Sequence, residues 1–315
     1  MRILLAYDAS SGAEQARDLL GNLNLPEATV VTVASVVRPA SPLFEIETVR
    51  HPDAAEAERQ MTQQVEAELA SAARFLVTAG RKVEQRVLRG RPAEEIVREA
   101  DRLDADLVVM GSRGHGPFRS ALLGSVSTEV VNASSRPVLI ARGISVHRVL
   151  VATDGTATSS LALDLVATWR IFEAVELTVL SVSEPVSSWV SLDRMDVESA
   201  SWLELETELA EERRLAHVET ARADAEKLNQ VGRRAAHEVR VGNPAHEIVQ
   251  AADELDVDLI VTGSRPSSAE LPGAIGSVAR NVVQHARASV LVAREPSTLA
   301  AVNEAASDAV ATTGD

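Results

Sequence analysis

Short apolar runs alternate with longer amphipathic stretches along the chain. In the first half, five such runs predict strands, at residues 2–7, 29–37, 82–88, 106–110 and 137–141. The gaps between them carry helical periodicity, as at 61–79. Ser11 and Glu14 form a capping-box pattern before one predicted helix, and Pro92 stands where proline is tolerated in the first turn of another. Strands alternating with helices in this way are typical of βαβ units and a parallel sheet.

The same pattern occurs a second time in the chain. Residues 2–8 match 148–154, which lie 146 positions later, whereas residues 90–96 match 242–248 at an offset of 152. The second copy therefore has six additional residues between its second and third strands, in or before an acidic helical stretch at about 196–230. Its predicted strands lie at 149–153, 176–182, 235–241, 258–262 and 289–293.

This repeat predicts an α/β protein with two tandem, doubly wound domains, each built on a five-stranded parallel sheet. We expect the domains to span residues 1–143 and 144–294 and to abut, because no Pro-rich or Gly/Ser-rich spacer separates them. Residues 295–315 are small and polar and lack an apolar helical stripe, so we expect a disordered tail.

Composition narrows the class of protein. Of the 315 residues, 45% are hydrophobic but only 3% are aromatic, which predicts aliphatic cores suited to buried parallel strands. The absence of cysteine excludes disulfides and thiolate metal sites, and favours a cytoplasmic protein. A net charge of -15 argues against binding to nucleic acid or an anionic membrane surface, and no apolar run is long enough to span a bilayer.

The segment 111–125 places Gly111, Gly114 and Gly124 between a predicted strand and a predicted helix that starts near Val126. Glycine allows close backbone approach and positive φ, and a helix N-terminus attracts anions, so this segment predicts a phosphate-binding loop. Asp8 ends the first strand, where its carboxylate could accept a hydrogen bond from a ribose hydroxyl or an adenine amine, or could cap a helix.

Basic residues lie in the same loop. Arg113 and Arg119 could neutralise phosphate charge or face solvent, and His115 has no metal partner at ligand spacing. Val36 could supply an apolar face to a base or be ordinary core.

The spacing Gly-x-x-Gly, nine residues, then Gly-Ser, together with Asp8, resembles the nucleotide-binding members of the universal stress protein family. The resemblance covers almost the whole chain, twice. It implies a site for ATP, or a related adenine nucleotide, with Mg²⁺ on the phosphates. By position, Tyr7, Asp8, Val36 and Met110 would surround adenine and ribose. Ribose and phosphates would be held by Gly111, Arg113, Gly114, Gly124, Ser125, Val126 and Ser127.

The second copy departs from this pattern in two places. Pro266 replaces Gly114 and removes a backbone N–H, and Ala279 replaces Ser127 and removes a hydroxyl. The remaining matching positions form a second, weaker candidate site, which comprises Asp154, Val182, Gly263, Arg265, Gly276, Ser277 and Val278. We therefore expect a competent first site and a doubtful second one.

Enzymatic motifs are absent from the sequence. The two lysines, Lys82 and Lys227, lie far from the glycine loops, and no P-loop or nucleophile elbow occurs. The leading hypothesis is an ATP-binding stress-response protein whose nucleotide occupancy alters conformation, association or partner choice. A scaffold that does not use nucleotide and a weak ATPase remain alternatives. The resemblance also implies an internal pseudo-dimer through the final strands, at 138–140 and 290–292, and leaves a homodimer open.

Overall fold

The computed structural model describes residues 1–38, 52–114, 123–185, 199–264 and 275–294. His115, Arg119, Arg265, Pro266 and the expected tail at 295–315 lie outside these ranges. The strands are β1 Arg2–Ala6, β2 Val30–Val37, β3 Lys82–Arg89, β4 Leu107–Gly111, β5 Val138–Ala141, β6 Arg148–Thr153, β7 Glu176–Ser183, β8 Arg234–Val241, β9 Leu259–Gly263 and β10 Ser289–Ala293. The helices are α1 Ser11–Asn22, α2 Pro52–Thr78, α3 Pro92–Arg102, α4 Ser125–Ala133, α5 Ala157–Thr168, α6 Ser199–Gln230, α7 Pro244–Glu254 and α8 Ser277–His285, with a 3₁₀ turn at Arg170–Phe172.

Every strand predicted from the apolar runs is present, and each strand end lies within one residue of its predicted position. Helix α2 begins nine residues before the predicted segment 61–79. Helix α6 has 32 residues against 27 in α2, so the insertion in the second copy mainly lengthens this helix. The sheet order of the second half mirrors that of the first, so the longer helix leaves the sheet unchanged.

The strands of each half form a parallel sheet with β1 or β6 at its centre. The order is β3-β2-β1-β4-β5 in the first half and β10-β9-β6-β7-β8 in the second. From β1 the chain winds outward to β3 and then crosses to β4 and β5 on the other side. This is the doubly wound arrangement, so the expected fold class is confirmed.

The final strands join the two halves. β5 and β10 pair antiparallel, with Val138 opposite Val292 and Ile140 opposite Val290, which makes one ten-stranded sheet. This confirms the expected intrachain pseudo-dimer. Because the pairing is antiparallel, the carboxyl ends of the strands in the first half and those in the second half lie at opposite edges of the sheet.

Helices cover both faces of the sheet. One apolar layer lies between the sheet and α1, α2, α5 and α6, and the other lies between the sheet and α3, α4, α7 and α8. Alternate residues of each strand enter opposite layers, as with Leu4 and Leu5, which are both fully buried. The side chains are mainly Val, Leu, Ile and Ala, as composition predicts.

The start of α1 differs from the predicted capping box. Ser10, not Ser11, is the N-cap residue, and its hydroxyl accepts a hydrogen bond of 3.2 Å from the Ala13 amide. Ser11 is the first helical residue and is exposed. The expected cap at Ser11 is therefore wrong by one residue, because the turn after β1 positions Ser10 in the extended conformation that an N-cap requires.

This assignment predicts different costs for two neighbouring substitutions. Ser10→Ala removes a satisfied N-cap and should lower the free energy of unfolding by about 1 kcal/mol. Ser11→Ala, on the exposed side of the first turn, should leave it unchanged. Urea unfolding of the two variants measures the difference, and equal losses would show that Ser10 is not the cap.

Candidate functional site

The candidate site of the first half lies where the winding of the sheet reverses. β1 and β4 are neighbours, and the chain leaves them toward opposite sides of the sheet. Ligands of open α/β sheets bind in the crevice at the carboxyl ends of such strands. Asp8 follows β1 and Gly111 ends β4, so the structure brings these two predicted residues to the same crevice.

The end of β4 packs directly against the first turn of α1. A Cβ on Gly111 would overlap the backbone of Gly12 and Ala13, and a Cβ on Gly12 would overlap the carbonyl of Arg113. Neither position can accept a side chain unless the backbone moves. Sequence reasoning missed Gly12, because its partner lies about a hundred residues away in the chain.

Asp8 is tied to the cap of α1 and also faces the glycine loop. Its Oδ1 accepts hydrogen bonds from the Ser10 amide at 3.1 Å and from the Ser10 hydroxyl at 2.5 Å. A Cβ on Gly114 would overlap Asp8 Oδ2, so the loop backbone runs against this carboxylate. Asp8 remains exposed, whereas Ser10 is buried. Both roles considered for Asp8, cap partner and site carboxylate, therefore fit its position.

Among the loop glycines, Gly111 is required by the close approach of another backbone segment and not by a positive φ. None of Gly111, Gly114 and Gly124 adopts the left-handed conformation that the sequence argument invoked. Gly124 would meet only ordinary van der Waals contacts if it carried a Cβ. In the turn before α1, by contrast, Ala9 has a φ of 57°, which costs energy in a residue other than glycine.

Helix α4 begins at the crevice with an open N-terminus. Its N-cap is Gly124, which provides no side-chain acceptor, and its first turn contains no acidic residue. The Gly124 amide donates to the Ser112 carbonyl at 2.7 Å, which ties the end of the loop to its start. Ser125 is exposed at the first helical position. The first backbone N–H groups of such a helix and its dipole favour an anion at this end.

Ser127 points inward rather than toward the crevice. It is buried, and its hydroxyl donates to the Gly111 carbonyl at 2.9 Å. Its side chain therefore joins α4 to the end of β4, which corrects the expectation that its hydroxyl would contact phosphate. Ala279 lacks this hydroxyl, so the second half has no equivalent bond.

The three apolar residues of the predicted site lie on one face of the sheet. Met110 is buried, Val36 and Val126 are half-buried, and all three pack in the layer under α3 and α4. The exposed parts of Val36 and Val126 offer an apolar border to the crevice.

Tyr7 does not join this group. Its side chain is buried in the opposite layer, with α1 and α2, because it follows Ala6 by one position in an extended chain. Burial raises the pKa of the Tyr7 phenol, and the charge of Arg17 partly offsets this effect. The Tyr7 side chain therefore does not stand beside Val36 and Met110 around a base.

Positive charge gathers beside the loop. Arg113 is exposed at the loop. Burial, and to a smaller extent the nearby charge of Arg113, lower the pKa of Arg142 to about 10. Arg142 directly follows β5, so both guanidinium groups lie at the same edge of the sheet as Asp8.

The second half repeats part of this arrangement. Asp154 Oδ1 accepts from the Thr156 amide at 3.1 Å and from the Thr156 hydroxyl at 2.5 Å, as Asp8 does from Ser10. Gly276 is the N-cap of α8, again without a side-chain acceptor. Ser277 is exposed, Val278 is half-buried and Val182 is buried.

One difference in the second half has a clear steric meaning. Thr158 occupies the position of Gly12, and a Cβ on Gly263 would overlap its carbonyl. In the first half, a Cβ at the Gly12 position would overlap the Arg113 carbonyl. The Thr158 side chain therefore excludes, in the second half, the backbone path that the loop takes at Arg113 in the first. Arg265 and Pro266 lie outside the described residues.

A second difference lies under α6. Thr153 stands where the first half has Tyr7, and its hydroxyl bonds to Asp224 at 2.8 Å. Ser181 donates to the Thr153 carbonyl at 2.9 Å and contacts His217 Nδ1 at 2.8 Å. Ser181 is fully buried, so this network supports the core rather than presenting a nucleophile.

The described residues were also compared with the requirements of a metal site and of a membrane-spanning helix. Among them, no group of three or more His, Cys, Asp and Glu side chains is placed to hold a metal ion. In the same ranges, no helix has the length and apolar character needed to cross a bilayer.

Comparisons with known proteins agree with the repeat. The model of the universal stress protein family matches residues 1–142 and 145–294. A universal stress protein of Mycobacterium tuberculosis is 32% identical over 201 residues, which are 61% of this chain and 62% of that protein. The alignment thus spans about three fifths of that relative's length. One of Thermus aquaticus is 32% identical over 145 residues, which are 44% of this chain and 97% of that protein.

Solved structures match over nearly the whole chain. A universal stress protein from Archaeoglobus fulgidus has a TM-score of 0.64 at 22% identity and covers 93% of this chain and 98% of its own. One from Pseudomonas aeruginosa has a TM-score of 0.57 at 15% identity and covers 97% of each. At these identities the likeness supports the fold alone.

The burial of Tyr7 makes a spectroscopic prediction, because it is the single tyrosine of the chain. Its phenolate absorbance should develop above the ordinary pKa of about 10, since burial disfavours the charged form. The stability gained from the neutral phenol is complete below pH 10 and is lost as the pH rises through the folded pKa. Absorbance near 295 nm follows the titration, and Tyr7→Phe is the control that removes it. A midpoint at or below the ordinary value would contradict the buried position.

Proposed function

Because the chain belongs to the universal stress protein family and carries its fold twice, we propose that its first half binds ATP or a related adenine nucleotide. The observation that carries the proposal is the meeting of two features in one crevice. The open N-terminus of α4 offers N–H groups to phosphate, and the exposed Asp8 carboxylate faces the loop that leads to it.

Each end of the nucleotide has matching chemistry. The backbone N–H groups of Ser125 and Val126 and the charge of Arg113 suit the phosphates, and the Ser125 hydroxyl adds a donor. Asp8 suits a ribose hydroxyl or the adenine amine, since a carboxylate accepts hydrogen bonds only. Val36 provides an apolar border for the base. Mg²⁺ would bind through the phosphate oxygens of the nucleotide, where it would neutralise part of their charge.

The second half is proposed to bind nucleotide more weakly or not at all. Asp154, Gly276 and Ser277 keep the carboxylate and the open helix, but Thr158 excludes the loop path of the first half. Pro266 removes one backbone donor from the loop.

In this proposal the nucleotide acts as a signal. Nucleotide occupancy changes the conformation of the protein, its association or its choice of partner. The alternative is a scaffold that keeps the fold without using nucleotide. Heat denaturation of freshly purified protein distinguishes the two, because an ATP-binding protein releases adenine nucleotide and a scaffold releases none. Sustained phosphate release would instead indicate a weak ATPase.

Paired aspartate substitutions test which half binds. Asp8→Ala should weaken ATP binding at least roughly tenfold, because it removes a charged hydrogen-bond acceptor from the site. Asp154→Ala is the matched control, since Asp154 makes the same contacts with its own helix cap. We expect it to leave the tight site unchanged. Calorimetric titration of the full chain gives affinity and stoichiometry, and equal effects of the two substitutions would refute the asymmetry.

Exchange of Gly12 and Thr158 tests the steric argument. Gly12→Thr should abolish tight ATP binding, because its Cβ would displace the Arg113 carbonyl and with it the start of the loop. Thr158→Gly should leave tight binding unchanged. Circular dichroism of both variants controls for folding. Wild-type affinity in folded Gly12→Thr protein would show that this loop path is not needed for binding.

A further inference from the structure

Two buried arginines cross the boundary between the halves. Arg142, which follows β5, donates through Nη2 to the Val283 carbonyl at 2.5 Å and through Nη1 to the Ala288 carbonyl at 3.3 Å. Arg294, which follows β10, donates through Nη2 to the Val131 carbonyl at 2.5 Å. The contacts are reciprocal, because one arginine of each half donates to a helix of the other half.

Both arginines bind the last turn of a helix. Val131 lies near the C-terminus of α4, and Val283 near the C-terminus of α8. Carbonyls of the last turn lack partners within the helix, and a cation there complements the negative end of the helix dipole. These two helices are the ones whose N-termini form the candidate phosphate sites.

The helix connects the arginine to the site over a short distance. Helix α4 has nine residues, so about 13 Å separates its two ends. Its N-terminus borders the crevice of the first half, and its C-terminus is held by Arg294 of the second half. A displacement at the C-terminus would therefore move the N–H groups at the other end.

The same arginine also stands at the edge of its own half. Ser264, at the start of the second loop, donates its backbone N–H to the Ala293 carbonyl at 3.2 Å, directly before Arg294. Ser112 and Ala141 make the equivalent bond at 3.3 Å before Arg142. Each arginine thus directly follows a residue that binds the loop of its own half, while its side chain contacts the helix of the other half.

Burial makes these contacts difficult to replace. Arg294 is only 6% exposed, and burial lowers its pKa to about 10. A guanidinium removed from water needs acceptors in the protein, so loss of the contact with α4 would leave both partners poorly solvated.

Resting on the function proposed above, we infer that Arg294 is a positioning residue for the nucleotide site of the first half. It holds α4 from its C-terminal end, so that the affinity of the first half for ATP depends on the second half. Arg142 holds α8 from its C-terminal end in the same way.

Substitutions in the full chain test this inference. Arg294→Ala should weaken ATP binding by about fivefold or more, a typical size for coupling between sites, and Arg294→Lys should restore part of it. Arg233→Ala is the matched control. Arg233 donates to the Ala167 and Trp169 carbonyls at the end of α5, so this variant loses a similar helix cap in the same half without touching α4. Titration calorimetry gives the affinities.

Amide hydrogen exchange in the absence of nucleotide provides a second readout. We expect faster exchange in the α4 segment, residues 123–134, for Arg294→Ala and not for Arg233→Ala. The inference is overturned if α4 exchange is unchanged in Arg294→Ala, or if both alanine variants weaken ATP binding equally. Absence of ATP binding by the wild-type chain would refute the proposed function instead, while altered exchange would still establish the contact with α4.

Discussion

The antiparallel pairing of β5 with β10 is the constraint on which the rest of the molecule depends. Without it, each half would be a separate sheet with an exposed apolar edge strand, since all four residues of β5 are buried in the joined sheet. The pairing also sets direction, because it turns one half relative to the other and places their crevices at opposite edges. It brings Arg142 and Arg294 to the helices that they cap, so the internal symmetry follows from these few backbone hydrogen bonds.

Close packing of backbone, rather than unusual backbone conformation, shapes the crevice. Gly111 and Gly12 let the end of β4 meet the first turn of α1, and Gly114 lets the loop pass Asp8. The buried Ser127 hydroxyl joins α4 to the end of β4 by its hydrogen bond to the Gly111 carbonyl. The crevice is therefore bordered by closely packed strand and helix ends, whose backbone groups are in place before a charged ligand binds.

The fold could be predicted from the sequence because eight of the ten described strands are mostly buried aliphatic runs, a pattern that is visible in the sequence itself. The outer strands β3 and β8 are more polar and more exposed. The site could be predicted only in part. The N-cap of α1 is Ser10 and not the predicted Ser11, because the sequence does not distinguish two adjacent serines. The turn around Asp8 decides which of them caps the helix. Tyr7 is next to Asp8 in sequence, yet strand alternation sends its side chain to the opposite layer. The need for glycine at position 12 could not be predicted, since it arises from a contact with Arg113, about a hundred residues later in the chain.

Covalent connection of the two halves changes what the β5–β10 interface requires. In an assembly of two separate chains, the same contact would form only above some concentration, and both copies would carry every substitution. Here the partner strand is always present at a high effective concentration, whatever the abundance of the protein. The two halves also need not have the same sequence. Thr158 and Pro266 can therefore stand in the second half where the first half keeps Gly12 and Gly114. A tethered pair can thus hold one binding unit and one unit specialised differently, which two identical subunits cannot do.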